Sequence, residues 1–177
     1  GKTLADIATA HGVTPARTML DLLAEKDGPD AGIVARGMDD RDVEKLTAWK
    51  WANVCSDGTT DGGHPRGWGS FPRVLGRFVR ERQLFALEEG VRKMTSLAAA
   101  NVGLVRRGRI APGYYADLVL FDPSTVIDKA TFSTPHESSV GITTVWVNGA
   151  VVFDHGAVTG RFPGRALRRT GAGRGSQ

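Results

Sequence analysis

The sequence has a single cysteine, Cys55, in 177 residues. One thiol forms no internal disulfide and builds no multi-cysteine zinc site. A stapled secreted scaffold is therefore excluded, and a cytoplasmic, reducing setting is the default expectation. Histidine is also scarce: His11, His64, His136 and His155 stand apart, and no two have the spacing of a metal-binding pair. No apolar run approaches the roughly 18 residues of a membrane span, and the opening GKTLADIATAHG lacks the charged-then-apolar layout of a signal peptide. Basic charge is present but in the wrong place for a nucleic-acid binder. The net charge is +4, yet Arg161, Arg165, Arg168, Arg169 and Arg174 all lie in a C-terminal stretch without acids. Without those arginines the balance turns slightly acidic, so the body of the protein has no electrostatic footprint for nucleic acid. The Gly, Ser and Arg content of RTGAGRGSQ buries too little surface to fix it, and residues 166–177 are predicted to be a flexible basic tail.

What is there suffices for a packed core, with 41% hydrophobic residues. TLADIATAHG puts Leu4, Ile7 and Ala8 on one helical face and stops at Gly12. Thr14 and Pro15 form an N-cap and first-turn pair for ARTMLDLLAEK. AGIVARGM (31–38) reads as a short strand, DDRDVEKLTAW as a helix capped by Asp39, and WANVCS (51–56) as a second strand. This alternation predicts α/β architecture with parallel strands. A glycine-rich loop (58–69) then leads into two helical patterns, FPRVLGRFVRERQ and LEEGVRKMTSLAAANVG. The period changes at ADLVLFD, a buried-strand run. TTVWVNGAVVFD reads as two strands about Asn148-Gly149, the strongest short hairpin signal, with GAVTG as a candidate last strand.

SDG at Ser56–Gly58, HPRGWGSFPRVLGRFVRE at His64–Glu81 and LEEGVRKMTSLAAANVGLVRRGRIAPGYYADLVLFDP at Leu87–Pro123, with VWVNG and GAVTGRFPGRALRR, resemble the carboxyl-terminal part of the amidohydrolase superfamily. Within it they resemble the N-acyl-D-amino-acid deacylases, or D-aminoacylases. RGRIAPGYYADLVLFD is shared widely across the superfamily, whereas the series SDG, HPR, FPRVLG is narrower and points to the D-amino-acid branch. The resemblance implies a zinc-dependent (β/α)8 (TIM) barrel flanked by a small β-domain, hydrolysing the amide of an N-acyl-D-amino acid. A whole barrel takes about 250 residues. On this basis residues 1–104 correspond to the last βα units, 105–165 to the C-terminal part of the flanking domain, and 166–177 to the tail. The family's His-X-His pair, bridging cysteine and later metal histidines have no counterpart here. The resemblance therefore implies no metal ligand in this chain, beyond a possible contact from Asp57. It implies the N-terminal part of the same enzyme as partner, and little activity for the chain by itself. A non-catalytic fragment serving as a structural or assembly partner is the alternative.

The resemblance gives Asp57 the role of general base and acid. It would follow the predicted strand WANVCS at the face of the barrel where catalytic groups gather. Asp-Gly is also a common turn pair, and the dipeptide alone favours that plainer reading. Arg66, in HPR, suits a two-point grip on the α-carboxylate that an N-acyl amino acid retains; the other reading is a solvated loop arginine or one bridging to a barrel acid. His64 either lines the substrate pocket or orients the loop. Cys55 is read as a small buried strand residue. Trp68 and Phe71 are read as pocket lining or as anchors onto the body, and Asp117 and Asp122 as turn or cap residues.

Overall fold

The computed structural model describes residues 2–25, 37–59 and 62–167, and the chain divides into two units, Gly1–Gly37 and Met38–Gln177. In the first, Thr3 and Asp6 form the reciprocal capping box of α1 (Leu4–His11), and Gly12, at φ 67°, ends the helix in the left-handed region. The bonds from the Thr3 hydroxyl and backbone N–H hold the Asp6 carboxyl below its usual pKa. Thr14 caps α2 (Pro15–Ala24), its hydroxyl accepting the Arg17 N–H at 3.2 Å, with Pro15 in the first turn. Most of the strand expected at 31–38 and most of the tail expected at 166–177 lie outside the described residues.

In the second unit, Asp39 caps α3 (Asp40–Ala48) by accepting the Arg41 N–H at 2.8 Å. Next come α4 (Arg66–Arg73), a π-helical stretch over Val74–Glu81, α5 (Leu87–Met94) and α6 (Ser96–Val102). Among the described residues, four strands follow: β1 (Leu118–Phe121), β2 (Ile142–Val147), β3 (Ala150–Asp154) and β4 (Ala157–Val158). They form one sheet in chain order, antiparallel throughout. The β2–β3 turn is made at Asn148 (φ 48°) and Gly149 (φ 81°), the two positive φ values of the tight hairpin turn that Asn-Gly favours. Among the described residues no helix is long and apolar enough to cross a membrane.

The described residues form an α/β fragment with a small antiparallel sheet, in the region where the Asn148-Gly149 hairpin signal stands. One expectation is corrected here. Residues 52–59 run as irregular chain, not as the strand expected at 51–56. Among the described residues the segment is joined to α5 by a backbone bond, Val54 N–H to Lys93 O at 3.2 Å. β-rich composition without a neighbouring strand makes no ladder.

Lys93 explains why this segment is held. Its side chain is 0% exposed and its ammonium donates to the carbonyls of Trp49 and Ala52, with Glu89 3.7 Å away. Burial pushes its pKa down, and the Glu89 carboxylate works in the opposite direction. A cation at the exit of α3 meets the negative end of the helix and ties it to α5. Arg92 adds a bond to the Lys50 carbonyl at 2.6 Å while it pairs with Glu89.

The helix pair α4 and Val74–Glu81 packs on residues 126–130. Val74, Leu75, Val126 and Ala130 are buried there, and Arg80 donates to the carbonyls of Pro123 and Val126. Pro72, inside α4, lacks the N–H that would bond back to the Trp68 carbonyl, and the π-helical winding begins two residues later.

Gly76 tests this packing. Replacing a helical glycine by alanine ordinarily stabilises by about 1 kcal/mol. Here a methyl would lie 2.6 Å from Val126 O and 2.9 Å from the Ile127 side chain. Gly76→Ala is therefore expected to destabilise by about 1–3 kcal/mol, read as a lowered urea midpoint; a raised midpoint would refute the contact.

Candidate functional site

Asp57 lies at the end of the segment anchored by Lys93, with φ 47°, a left-handed conformation that aspartate tolerates better than most residues. Gly58 is required next to it. A Cβ at Gly58 would fall 2.2 Å from Gly67 Cα, so the backbones touch and Asp57 is set against the start of α4. Gly58 N–H also donates to the Ser56 hydroxyl at 3.3 Å, closing the turn.

Arg66 is the first residue of α4, so the predicted loop of 58–69 is shorter than expected: Pro65 already has helical dihedrals and the helix begins after it. The Arg66 guanidinium Nη1 is 3.2 Å from Asp57 Oδ2, with the Arg66 side chain 47% and the Asp57 side chain 79% exposed. The structure thus brings the two principal candidates together. His64 joins them through the backbone: its Nδ1 accepts the Arg66 N–H at 3.1 Å, which leaves Nε2 as the protonated nitrogen of a neutral ring. Its ring meets Phe132 edge-on with centroids 5.0 Å apart. Ser70 Oγ donates to the Arg66 carbonyl at 2.8 Å.

Chemically, this is an accessible carboxylate able to take and return a proton, beside a guanidinium at the positive end of a helix, where an anion is favoured. Cys55 is exposed, contrary to the buried strand residue expected, because the segment has no sheet to cover it. Trp68 and Phe71 are both partly exposed, and the Trp68 indole lies against the His136 ring, centroids 5.6 Å apart. Asp117 accepts the Asn148 N–H at 2.9 Å and pairs with Arg107, and Asp122 accepts the Ser124 N–H at 2.8 Å, both acting in turns. Sequence reading missed Phe132, His136 and Ser139, which pack against the site from 74 residues or less along the chain. The one available signal was Pro72, which leaves the Trp68 carbonyl in need of a donor.

Among the described residues no three His, Cys, Asp or Glu side chains are grouped to hold a metal ion. Asp57 is paired with Arg66 instead. These residues do not fit a zinc centre by themselves.

The chain belongs to the amidohydrolase family, whose model matches residues 53–153, from the segment before Asp57 through β3. It is 44% identical over 174 residues to a D-aminoacylase from Alcaligenes xylosoxydans xylosoxydans, covering 97% of this chain and 35% of the relative. An N-acyl-D-glutamate deacylase from the same organism is also 44% identical, with 96% and 34% covered. A crystal structure of D-aminoacylase superposes with a TM-score of 0.81 at 45% identity, covering 91% of this chain and 33% of that one. The N-acyl-D-glutamate deacylase from Bordetella bronchiseptica was solved with zinc and a phosphonate mimic of the tetrahedral intermediate. It gives 0.79 at 43% identity, covering 89% and 32%. D-aminoacylase itself has a binuclear metal centre. The chain spans about a third of the length of these relatives.

Metal content is checked directly. Equilibrium dialysis of the 177-residue chain should show no zinc retained against micromolar competitors, since a stable site needs three or four convergent donors. One tightly held zinc per chain would contradict this.

Proposed function

We propose that these 177 residues are the C-terminal segment of a zinc-dependent N-acyl-D-amino-acid deacylase. Residues 1–104 supply the last βα units of its barrel and 105–165 the C-terminal part of its flanking β-domain. The observation that supports this best is the likeness to D-aminoacylase over nearly the whole chain, 44% identity over 174 residues, with Asp57 and Arg66 set 3.2 Å apart inside the stretch that matches the family. The metal ligands are contributed by the rest of the enzyme, which is also the chain's partner.

The substrate's α-carboxylate binds Arg66 through two parallel N–H bonds, in place of the Asp57 contact. Releasing Asp57 frees it for chemistry. Its carboxylate takes a proton from the water that adds to the acyl carbon, then delivers that proton to the nitrogen as the C–N bond breaks. The products are a carboxylate and a free D-amino acid. A planar two-point grip fixes the rotation of the α-carbon as well as its charge, which favours one enantiomer. His64, bonded to the Arg66 N–H and resting on Phe132, holds the arginine toward the substrate.

In the complete enzyme, Asp57→Asn preserves shape but removes the base. Turnover is expected to fall by about 10²- to 10⁴-fold with metal content largely intact; near-normal turnover would reduce Asp57 to a turn residue.

Arg66 is tested by pairing a variant with an altered substrate. An N-acyl-D-amino acid amide, which lacks the α-carboxylate, should be a much poorer substrate than the acid for the wild type. For Arg66→Ala the penalty should nearly vanish, because the two losses remove the same contact and do not add. Equal penalties in kcat/KM for both enzymes would show that Arg66 does not touch the carboxylate.

A further inference from the structure

Residues 131–139, between the bridge residue Ile127 and β2, lie against the loop and helix that carry His64 and Arg66. Four contacts join them. His136 Nε2 donates to the Gly62 carbonyl at 3.1 Å, and its ring rests on the Trp68 indole. Phe132 meets the His64 ring, and Ser139 Oγ donates to the Trp68 carbonyl at 3.2 Å. The Ser139 bond has a covalent cause. Pro72, four residues after Trp68, has no N–H to give that carbonyl. The acceptor freed by the proline is taken by a hydroxyl from the β-rich part of the chain.

The same face is fastened one turn on, where Arg73 pairs with Asp128 at 3.1 Å and a Cβ on Gly69 would lie 2.9 Å from Asp128 Cβ. Residues 62–73 are thus bounded on one side by Asp57 and Gly58 and on the other by residues 128–139. Arg66, the first helical residue, lies between these supports, yet its guanidinium remains half-exposed.

We propose that His136 is a positioning residue for substrate binding: by holding Gly62 and Trp68 it fixes the start of α4, and with it the direction of the Arg66 side chain. This rests on the reading of Arg66 as the carboxylate-binding group. An arginine on an unfastened loop would have to be ordered at each binding event, and that conformational cost would appear in substrate affinity. His136 touches no reacting atom, so its removal weakens ground state and transition state alike.

Two measurements test this, of which the first needs no activity. In the 177-residue chain, hydrogen exchange at the Gly67 and Trp68 amides should quicken in His136→Ala by about three- to tenfold, the range one hydrogen bond is worth. His136→Gln, whose amide nitrogen reaches the place of Nε2, should restore protection. In the complete enzyme, His136→Ala should raise KM for an N-acyl-D-amino acid by a similar factor, leave kcat within about twofold, and be rescued by His136→Gln. Unchanged exchange in His136→Ala overturns the proposal. Faster exchange with unchanged KM overturns it as well, since the loop would then be held without serving the substrate. If the unmodified complete enzyme does not cleave N-acyl-D-amino acids, the deacylase reading fails, while the exchange result still decides whether His136 holds the loop.

Discussion

Close backbone contact at glycine is the constraint on which the Met38–Gln177 unit depends. Gly69 and Gly76 on the helical side meet Asp128, Val126 and Ile127, and Gly141 at φ 79° lies so near Val126 that a Cβ would come within 2.4 Å of its backbone. The helix and the β-rich part can approach this closely only where side chains are absent. With that contact in place, Arg80 reaches the carbonyls of Pro123 and Val126, and residues 131–139 come within reach of the loop after Asp57. Gly58 against Gly67 repeats the device on the opposite side of α4.

The charged groups divide by burial. Lys93 is fully buried, and its ammonium is satisfied by two carbonyls and the nearby Glu89, so it serves the fold by tying α3 to α5. Removing the partners of such a group is costly. Asp57 and Arg66 form an exposed pair at 3.2 Å, an arrangement that contributes at most about 1 kcal/mol. The left-handed φ at Asp57 and the backbone contact at Gly58, not this weak pair, fix where the carboxylate stands.

The site draws on both parts of the Met38–Gln177 unit. Asp57, His64 and Arg66 come from the chain between α3 and α4, while Phe132, His136 and Ser139 come from the stretch before β2. Pro72 links the two: by withholding one N–H it gives the helical side an acceptor that the other side fills.

Local chemistry was legible in the sequence. Thr14-Pro15 and Asp39 announced their helices, and Asn148-Gly149 announced its hairpin, because caps and tight turns are decided within four or five residues. The motifs SDG and HPR, through their resemblance to a known family, singled out Asp57, His64 and Arg66. Tertiary structure decided the rest. WANVCS has strand composition, but a strand exists only when another pairs with it, and residues 52–59 instead run as irregular chain, leaving Cys55 exposed. Lys93 reads as the polar face of a helix until the carbonyls of Trp49 and Ala52 close over it. The approach of Arg66 to Asp57 and the hold of His136 on Gly62 depend on contacts between residues up to 74 positions apart, and no periodicity or spacing encodes such a meeting. It arises only when the glycine contacts let the two backbones close.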